Sequence, residues 1–353
     1  MSERIPTVIL GGTGYVAGEL LRLLAAHPVF EVAGILSDSK PGEPVAGAFP
    51  HLACVYPEMR FKSQQQIETV LAEAPRSAIL SGAPHGVAAP LIDALLTAAE
   101  RAGRRPRVVD ISADFRYRSA DAYQAVYKHE HGAPGRLGQF SCALSEHLSE
   151  LSTPHVAHPG CFASAILLAS VPLLALEIAS PALFVSGITG STGSGRKPVE
   201  GTHHPLRQSD VYAYNALAHR HVPEIAACAR AATGVDADFS FVPSSGPFSR
   251  GIHVTVQGSL RRSMDTAGIL AALREYYARA PFVRVTDAPP HVKHIVASNY
   301  AHVSAAANGR TVAVLCALDN LTKGAAGGAI QWLNRMYSLP ETTGLEQPAP
   351  GWT

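Results

Sequence analysis

The sequence predicts an α/β protein of two domains. A parallel, doubly wound sheet is expected over residues 1–157, and an α+β half with a mostly antiparallel sheet over 158–321. Three observations predict it. The 353 residues exceed the size at which one hydrophobic core stops growing, so two cores are expected. In the first half, short apolar runs ending in glycine or polar residues alternate with amphipathic stretches, the pattern of strand–helix–strand units. Near Pro154 the pattern changes, and strand-like runs follow one another with fewer helices between them.

The first apolar run, 7–10, leads into Gly11-Gly12-Thr13-Gly14 and then a helical stretch containing Leu20, Leu21, Leu23 and Leu24. A second run, 31–36, ends in Ser37-Asp38-Ser39-Lys40. Two more, 77–80 and 107–111, flank a helix expected over 88–102. A long apolar helix begins at Cys161. Strands are expected at 183–188, 239–242, 251–257 and 312–317, and helices at 223–232 and 266–278. The small, apolar segment 319–337 reads as a helix packing back on the first domain, so 322–353 is assigned there, with the tail after Pro340 as an exposed arm.

Composition narrows the function. Apolar residues make up 47% and charged residues 16%, which suits a well-buried globular chain rather than a disordered one. A balance of 29 basic against 28 acidic residues provides no electrostatic footprint for nucleic acid or a membrane surface, leaving a small molecule as partner. The five cysteines (54, 142, 161, 228 and 316) form no CxxC pair, and no HExxH run is present, so neither a disulfide framework nor a metal is expected. Met1-Ser2-Glu3-Arg4 leads straight into the first apolar run without a signal-peptide core. The longest apolar stretch, 165–178, is broken by Pro172 and Glu177. A cytoplasmic location follows as the expectation.

Gly11-x-x-Gly14 between a strand and a helix is what a dinucleotide requires: glycine permits the turn, and the missing side chains let a pyrophosphate approach backbone N–H groups at the helix start. The third small residue is Ala17 or Gly18. The end of the second strand offers both an acid, Asp38, which suits ribose hydroxyls, and Ser37, Ser39 and Lys40, which suit a 2′-phosphate. The choice between NADP and NAD stays open at this point.

The sharpest feature is His158-Pro159-Gly160-Cys161 ahead of an apolar helix. The Pro-Gly turn delivers the thiol to the first helical turn, where unpaired N–H groups and the helix dipole favour a thiolate, the nucleophile of acyl transfer. His219-Arg220-His221-Val222-Pro223-Glu224 supplies two candidate bases and an acid able to orient one ring. The Gly190–Lys197 stretch, rich in donors, is a candidate anion-binding loop or a cover for the nicotinamide. Arg116, in the strand-end segment that also holds Ser112, is a candidate bidentate phosphate binder.

Together these segments resemble the N-acetyl-gamma-glutamyl-phosphate reductases of the aspartate-semialdehyde dehydrogenase superfamily. The likeness runs from about Thr7 to Tyr337. It rests on Gly11-x-x-Gly14-Tyr15, Pro84-His85-Gly86, Asp110-x-Ser112-Ala113-Asp114-Phe115-Arg116, Pro159-Gly160-Cys161, Gly193-x-Gly195-Arg196-Lys197, His219-Arg220-His221-x-Pro223-Glu224, Arg250-Gly251-Ile252 and Asp319-Asn320-Leu321-x-Lys323-Gly324-Ala325. It implies a Rossmann-type domain and a substrate and oligomerisation domain, forming a homo-oligomer (dimer or tetramer). The implied activity is NADPH-dependent reduction of an acyl phosphate in arginine biosynthesis, with inorganic phosphate and a semialdehyde as the small-molecule partners.

The resemblance implies that Cys161 is the nucleophile and that the His219/His221 pair, with Glu224, does acid/base work; His219 is favoured for proton transfer. Gly11, Thr13, Gly14, Tyr15, Val16, Ser37, Ser39, Lys40, Pro84, Gly193, Gly195 and Asn320 are implied as cofactor contacts, and Ser112, Arg116, Arg196 and Lys197 as substrate contacts. The chain departs from the family pattern at His158, at Ser37-Asp38 and at Phe162-Ala163-Ser164. Thr202-His203-His204-Pro205 is similar instead to sister reductases acting on a carrier-linked aminoadipyl phosphate in lysine synthesis, one alternative reading. A non-catalytic dinucleotide-binding regulator is the other.

Overall fold

The computed structural model describes residues 4–351. The expectations for Met1-Ser2-Glu3 and for Trp352 and Thr353 at the end of the tail lie outside the described residues. The chain forms two compact units, one of 1–143, 150–158 and 326–345, the other of 144–149, 159–325 and 346–353.

The first unit is built on six strands, β1 (Ile5–Leu10), β2 (Phe30–Ile35), β3 (Ala78–Ser81), β4 (Arg107–Asp110), β5 (Phe140–Cys142) and β6 (His155–Ala157), in the order β2-β1-β3-β4-β6-β5. All five pairings are parallel. Strands of such a sheet are covered on both faces and read as unbroken apolar runs, and β3 is buried at each of its four residues. The order reverses between β1 and β3, which marks the carboxyl ends of those strands as the ligand-binding place of a doubly wound sheet. Helices Tyr15–Leu24, Gln64–Glu73 and Ala88–Arg101 cover it. The middle one was absent from the sequence expectation although its capping box, Ser63 with Gln66, is a legible start signal.

Helix Gly327–Met336 completes this unit, packing on β4 and on helix Tyr15–Leu24. Its Trp332 is buried and donates from Nε1 to the Ala143 carbonyl at 2.9 Å, Asn334 meets His27 at 3.1 Å, and the following Tyr337 donates to Ser77 O at 2.6 Å. The expected exposed arm beyond Pro340 is corrected in part. Asn334 Nδ2 donates to the carbonyls of Glu341 and Thr343 at 3.1 and 2.8 Å, and Leu345 is buried.

The second unit carries seven strands, β7 (Ala179–Thr189), β8 (Tyr212–Ala213), β9 (Asp238–Ser245), β10 (Ile252–Leu260), β11 (Val283–Val285), β12 (Ala301–Asn308) and β13 (Thr311–Leu318), ordered β11-β12-β13-β10-β7-β9-β8. Four of the six pairings are antiparallel and two are parallel. The sheet is thus mixed and mostly antiparallel. Helix Cys161–Ala175 lies against β7, β10 and β13. It is buried from Phe162 to Leu174, as a helix apolar on every side must be. Pro172 inside it removes the N–H that would bond Leu168 O, and the Tyr277 hydroxyl donates to that carbonyl instead, at 2.7 Å. Among the described residues no helix is long and apolar enough to cross a membrane.

Candidate active site

The glycine turn of the first unit is crowded on one side and open on the other. Gly11 has a left-handed φ of 83°, and a Cβ there would lie 2.5 Å from Gly82 O; one on Gly12 would lie 2.5 Å from Leu36 O. The turn is pressed against the ends of β3 and β2, which only glycine allows. Gly14 meets nothing closer than 3.5 Å. It caps helix Tyr15–Leu24 without a side-chain bond, and no acid occupies the first helical turn. Backbone N–H groups at this helix start suit a pyrophosphate, so these residues fit the dinucleotide the sequence implied. Thr13 and Val16 are partly buried and Tyr15 is exposed.

At the end of β2, Ser37 Oγ lies 3.4 Å from Ser39 Oγ, and exposed Lys40 pairs with exposed Glu43 at 2.8 Å. Pro84 is exposed beyond β3. After β4 the segment is braced internally. Ser112 Oγ donates to Asp110 Oδ2 at 2.6 Å. Asp114 accepts from the N–H groups of Gly86 and Ala89 at 2.9 Å each. Burial is the main cause that lifts Asp110 to about 6, against the hydrogen bond from Ser112. Arg116, expected to hold phosphate, is buried, and its guanidinium donates to His158 O at 3.0 Å and Ile111 O at 2.7 Å. It ties the ends of β4 and β6 together, and a phosphate there would compete with two backbone bonds.

In the second unit Cys161 opens its helix. Gly160 is the N-cap without a side-chain bond, and the first turn holds no acid. Gly160 N–H donates to Glu224 Oε1 at 2.6 Å, and Ser164 Oγ donates to Gly160 O at 3.1 Å. Glu224, expected to orient a histidine, fixes the backbone immediately before the thiol. On another side stands Gly324, where a Cβ would lie 2.8 Å from Cys161 Cβ and 3.1 Å from its Cα. The thiol's position is set by backbone on both sides, and the residue itself is partly exposed.

His219 and His221, both buried, precede helix Val222–Thr233. Their rings meet edge to face at 4.7 Å, and His219 also meets Phe162 at 5.9 Å, Phe241 at 5.2 Å and Tyr214 at 5.8 Å. His219 Nδ1 accepts from His221 N–H at 3.2 Å, so the neutral ring carries its proton on Nε2. Burial, aided by Arg220, pushes His219 down to about 4. Burial first, and the charge of a Cys161 thiolate second, push Tyr214 up to about 12. Its phenol stays protonated within reach of the thiol's charge. Tyr214 went unnoticed in the sequence, where an aromatic five residues before His219 was the available signal.

The remaining expected residues of this unit belong to a loop. Asn320 is buried; its Oδ1 accepts from Gly251 N–H at 2.7 Å and its Nδ2 donates to Thr192 Oγ1 at 3.0 Å. Asn320 therefore holds the loop from Gly190, on which Gly193, Gly195, Arg196 and Lys197 are exposed. His203 and His204 are exposed too.

Comparison with known proteins gives the same outline. Residues 6–171 match a family model described as the semialdehyde dehydrogenase NAD binding domain, and 161–320 match its dimerisation domain. Proteins named N-acetyl-gamma-glutamyl-phosphate reductase from Methanopyrus kandleri and Ectopseudomonas mendocina are each 37% identical, covering 96% and 97% of this chain and 97% and 98% of their own. One of that name from Rhodospirillum rubrum is 35% identical over 98% of this chain and 99% of its own. Among solved structures, aspartate semialdehyde dehydrogenase II of Vibrio cholerae matches at a TM-score of 0.70 with 14% identity, over 96% of this chain and 99% of that one. The Candida albicans enzyme solved with NADP matches at 0.62 with 14% identity, over 93% and 97%. These two show the fold alone.

Proposed function

The chain belongs to the N-acetyl-gamma-glutamyl-phosphate reductase family of the semialdehyde dehydrogenases, and we propose that it reduces N-acetyl-γ-glutamyl phosphate to N-acetyl-L-glutamate 5-semialdehyde through a thioester on Cys161. The observation that carries the mechanism is the thiol in the first turn of its helix, fixed by Glu224 through Gly160 on one side and by Gly324 on the other, with His219 of the His219/His221 pair against its neighbour Phe162.

The Cys161 thiolate adds to the acyl-phosphate carbonyl, the carbon–oxygen bond to phosphate breaks, and phosphate leaves with the electron pair. When bound, NADPH supplies the hydride. Cys161 then leaves as thiolate when the carbon–sulfur bond breaks, freeing the aldehyde. His219, neutral and with Nδ1 taken, serves as an Nε2–H donor to the carbonyl oxygen rather than as the base. The earlier preference for it as proton carrier therefore passes to His221. Tyr214 is a second donor, and Glu224 positions the nucleophile through Gly160. The first unit takes the dinucleotide on Gly11–Gly14, and Ser37, Ser39 and Lys40 favour NADP, because an exposed Lys40–Glu43 pair is weak and readily exchanged for a 2′-phosphate. The protein works in the cytoplasm, as a homo-oligomer formed through its second unit.

The relatives' names favour this acyl group over the carrier-linked aminoadipyl alternative, which rests on exposed His203-His204. The intact thiol and histidine constellation argues against a non-catalytic regulator. The test is phosphate-dependent NADP reduction with N-acetyl-L-glutamate 5-semialdehyde, run beside the aminoadipate analogue. Turnover with the former, abolished in Cys161→Ser while cofactor binding persists, is expected. Comparable turnover in that variant refutes the thioester, and a preference for the aminoadipate analogue refutes the substrate.

A further inference from the structure

Arg207, which no part of the reaction above uses, has its best hydrogen-bonding edge unmatched. It ends the short helix His204–Arg207 and is 8% exposed. Its Nη1 donates to Asp210 O at 3.3 Å and Ser245 O at 3.4 Å, and the guanidinium lies 5.9 Å from the centre of the Tyr212 ring. Nε and Nη2 are buried and have no hydrogen-bond partner among the described residues. Those two nitrogens form the side-on edge of the fork, the edge that takes a carboxylate through two parallel bonds. The chain shows that edge in use elsewhere. Arg22 holds Glu19 through Nε and Nη2 at 3.1 and 2.7 Å, and Arg250 holds Asp319 through the same pair at 3.0 and 3.1 Å. A cation shut away from water calls for an anion in that place.

We infer that Arg207 binds a carboxylate of the substrate, remote from the reacting carbonyl, side-on through Nε and Nη2, and thereby selects an acidic acyl chain. The inference rests on the reductase reading and names what that site selects. Placement puts Arg207 at the same end of the sheet as the start of the Cys161 helix. Arg207 leans on Ser245, the last residue of β9, which pairs with Thr189, the last of β7. Phe162, next to Cys161, packs its ring where Gly187 of β7 has no side chain. Gly187 and Thr189 are two residues apart, about 7 Å along a strand. Standard bond lengths put a phosphate on the reacting carbon within about 3 Å of it, whereas the carboxylate at the far end of a glutamyl chain is roughly 5 Å away. Tyr214 lies in the same stretch, its N–H bonded to Pro243 O of β9 at 3.0 Å. The four-residue helix carrying Arg207 is otherwise exposed, so admitting a carboxylate shifts a surface segment and leaves the core in place.

The experiment compares kcat/KM for N-acetyl-L-glutamate 5-semialdehyde and its neutral α-carboxamide in the wild type, Arg207→Met and Arg207→Lys. The wild type is expected to prefer the acid by about 100-fold, the worth of one or two charge-assisted hydrogen bonds, chiefly through KM. Arg207→Met should lose that preference while keeping its rate on the amide, and Arg207→Lys should recover part of it. Equal losses on both substrates would assign Arg207 to the fold and overturn the inference. So would a wild type indifferent to the carboxylate, or a rise in the KM of inorganic phosphate alone. Calorimetry with N-acetyl-L-glutamine and its uncharged amide, which needs no turnover, separates the two readings. Wild-type binding of the acid that vanishes in Arg207→Met supports the carboxylate site even if phosphate-dependent turnover fails, and no difference between the two probes refutes it.

Discussion

Substituting Gly324 by alanine tests whether the nucleophile is placed by backbone contact. The new Cβ would stand 2.8 Å from Cys161 Cβ, against 3.4 Å or more for an ordinary contact, so something must yield by about 0.6 Å. The crowded atoms belong to or adjoin backbone, with Cys161 Cα at 3.1 Å and Asp319 O at 3.3 Å, and cannot swing aside as a side-chain tip would. Gly324 N–H is itself bonded to Asp319 O at 2.9 Å, which restrains retreat on its own side. Overpacking of this kind costs about 1–3 kcal/mol of stability. A nucleophile displaced by a sizeable fraction of an ångström loses up to about 100-fold in rate. Expected results are a kcat/KM lower by about 10- to 100-fold, a slower iodoacetamide reaction at Cys161 and a lower Tm, with cofactor affinity held. Gly135→Ala, where a Cβ meets nothing within 4 Å, serves as control. Wild-type kcat and wild-type alkylation in Gly324→Ala would refute the reasoning.

Other consequences can be checked beside it. Glu224→Ala strands the Gly160 N–H and should cost about 1–3 kcal/mol in urea unfolding together with a fall in kcat. Glu224→Gln keeps an acceptor and should retain more of both, and equal behaviour of the two variants would remove Glu224 from the positioning role. His221→Asn is expected to flatten the acidic limb of the kcat–pH profile, whereas His219→Asn should lower kcat with the limb kept; the reverse pattern returns proton transfer to His219. Acid stability follows from three histidines, the buried His155 and His219 and the partly buried His147, each pushed down to about 4 chiefly by loss of solvent around the ring. Between pH 6.5 and 4 the unfolded chain binds the extra protons, so stability should fall on acidification by up to about 1.4 kcal/mol per pH unit for each ring, and level off above pH 6.5. Unfolding free energy that is flat from pH 7 to 5 would contradict those burials.

The sequence made legible what is written in contiguous residues. The apolar runs of β1 to β4, β7, β9, β10 and β13 lie within a few residues of where they were expected, and the glycine turn and the Cys161 helix start are local patterns. Strand β12 was missed because Ala305, Ala306 and Ala307 carry little strand preference. Pairing with β13 along its length makes it a strand. Its Asn308-Gly309-Arg310 turn, with Gly309 at φ 61°, was the overlooked hairpin signal. What stayed hidden is non-local. Glu224 reaches Gly160 across 64 residues, Gly324 meets Cys161 from a distant turn, and Arg116 spends its donors on backbone carbonyls, which no spacing rule foretells.

Helix Gly327–Met336 has a consequence for how the protein comes into being. The dinucleotide unit draws its last helix from beyond residue 325, yet that helix supplies the buried Trp332 and the partner of His27. At about 5–20 residues per second on the ribosome, the nascent parallel sheet waits roughly ten to thirty seconds after residue 158 emerges before its cover arrives. Through that interval apolar surface over β4 has no native mate. A chain released early, or an expressed fragment ending at residue 158, should therefore depend on chaperones where the finished protein does not.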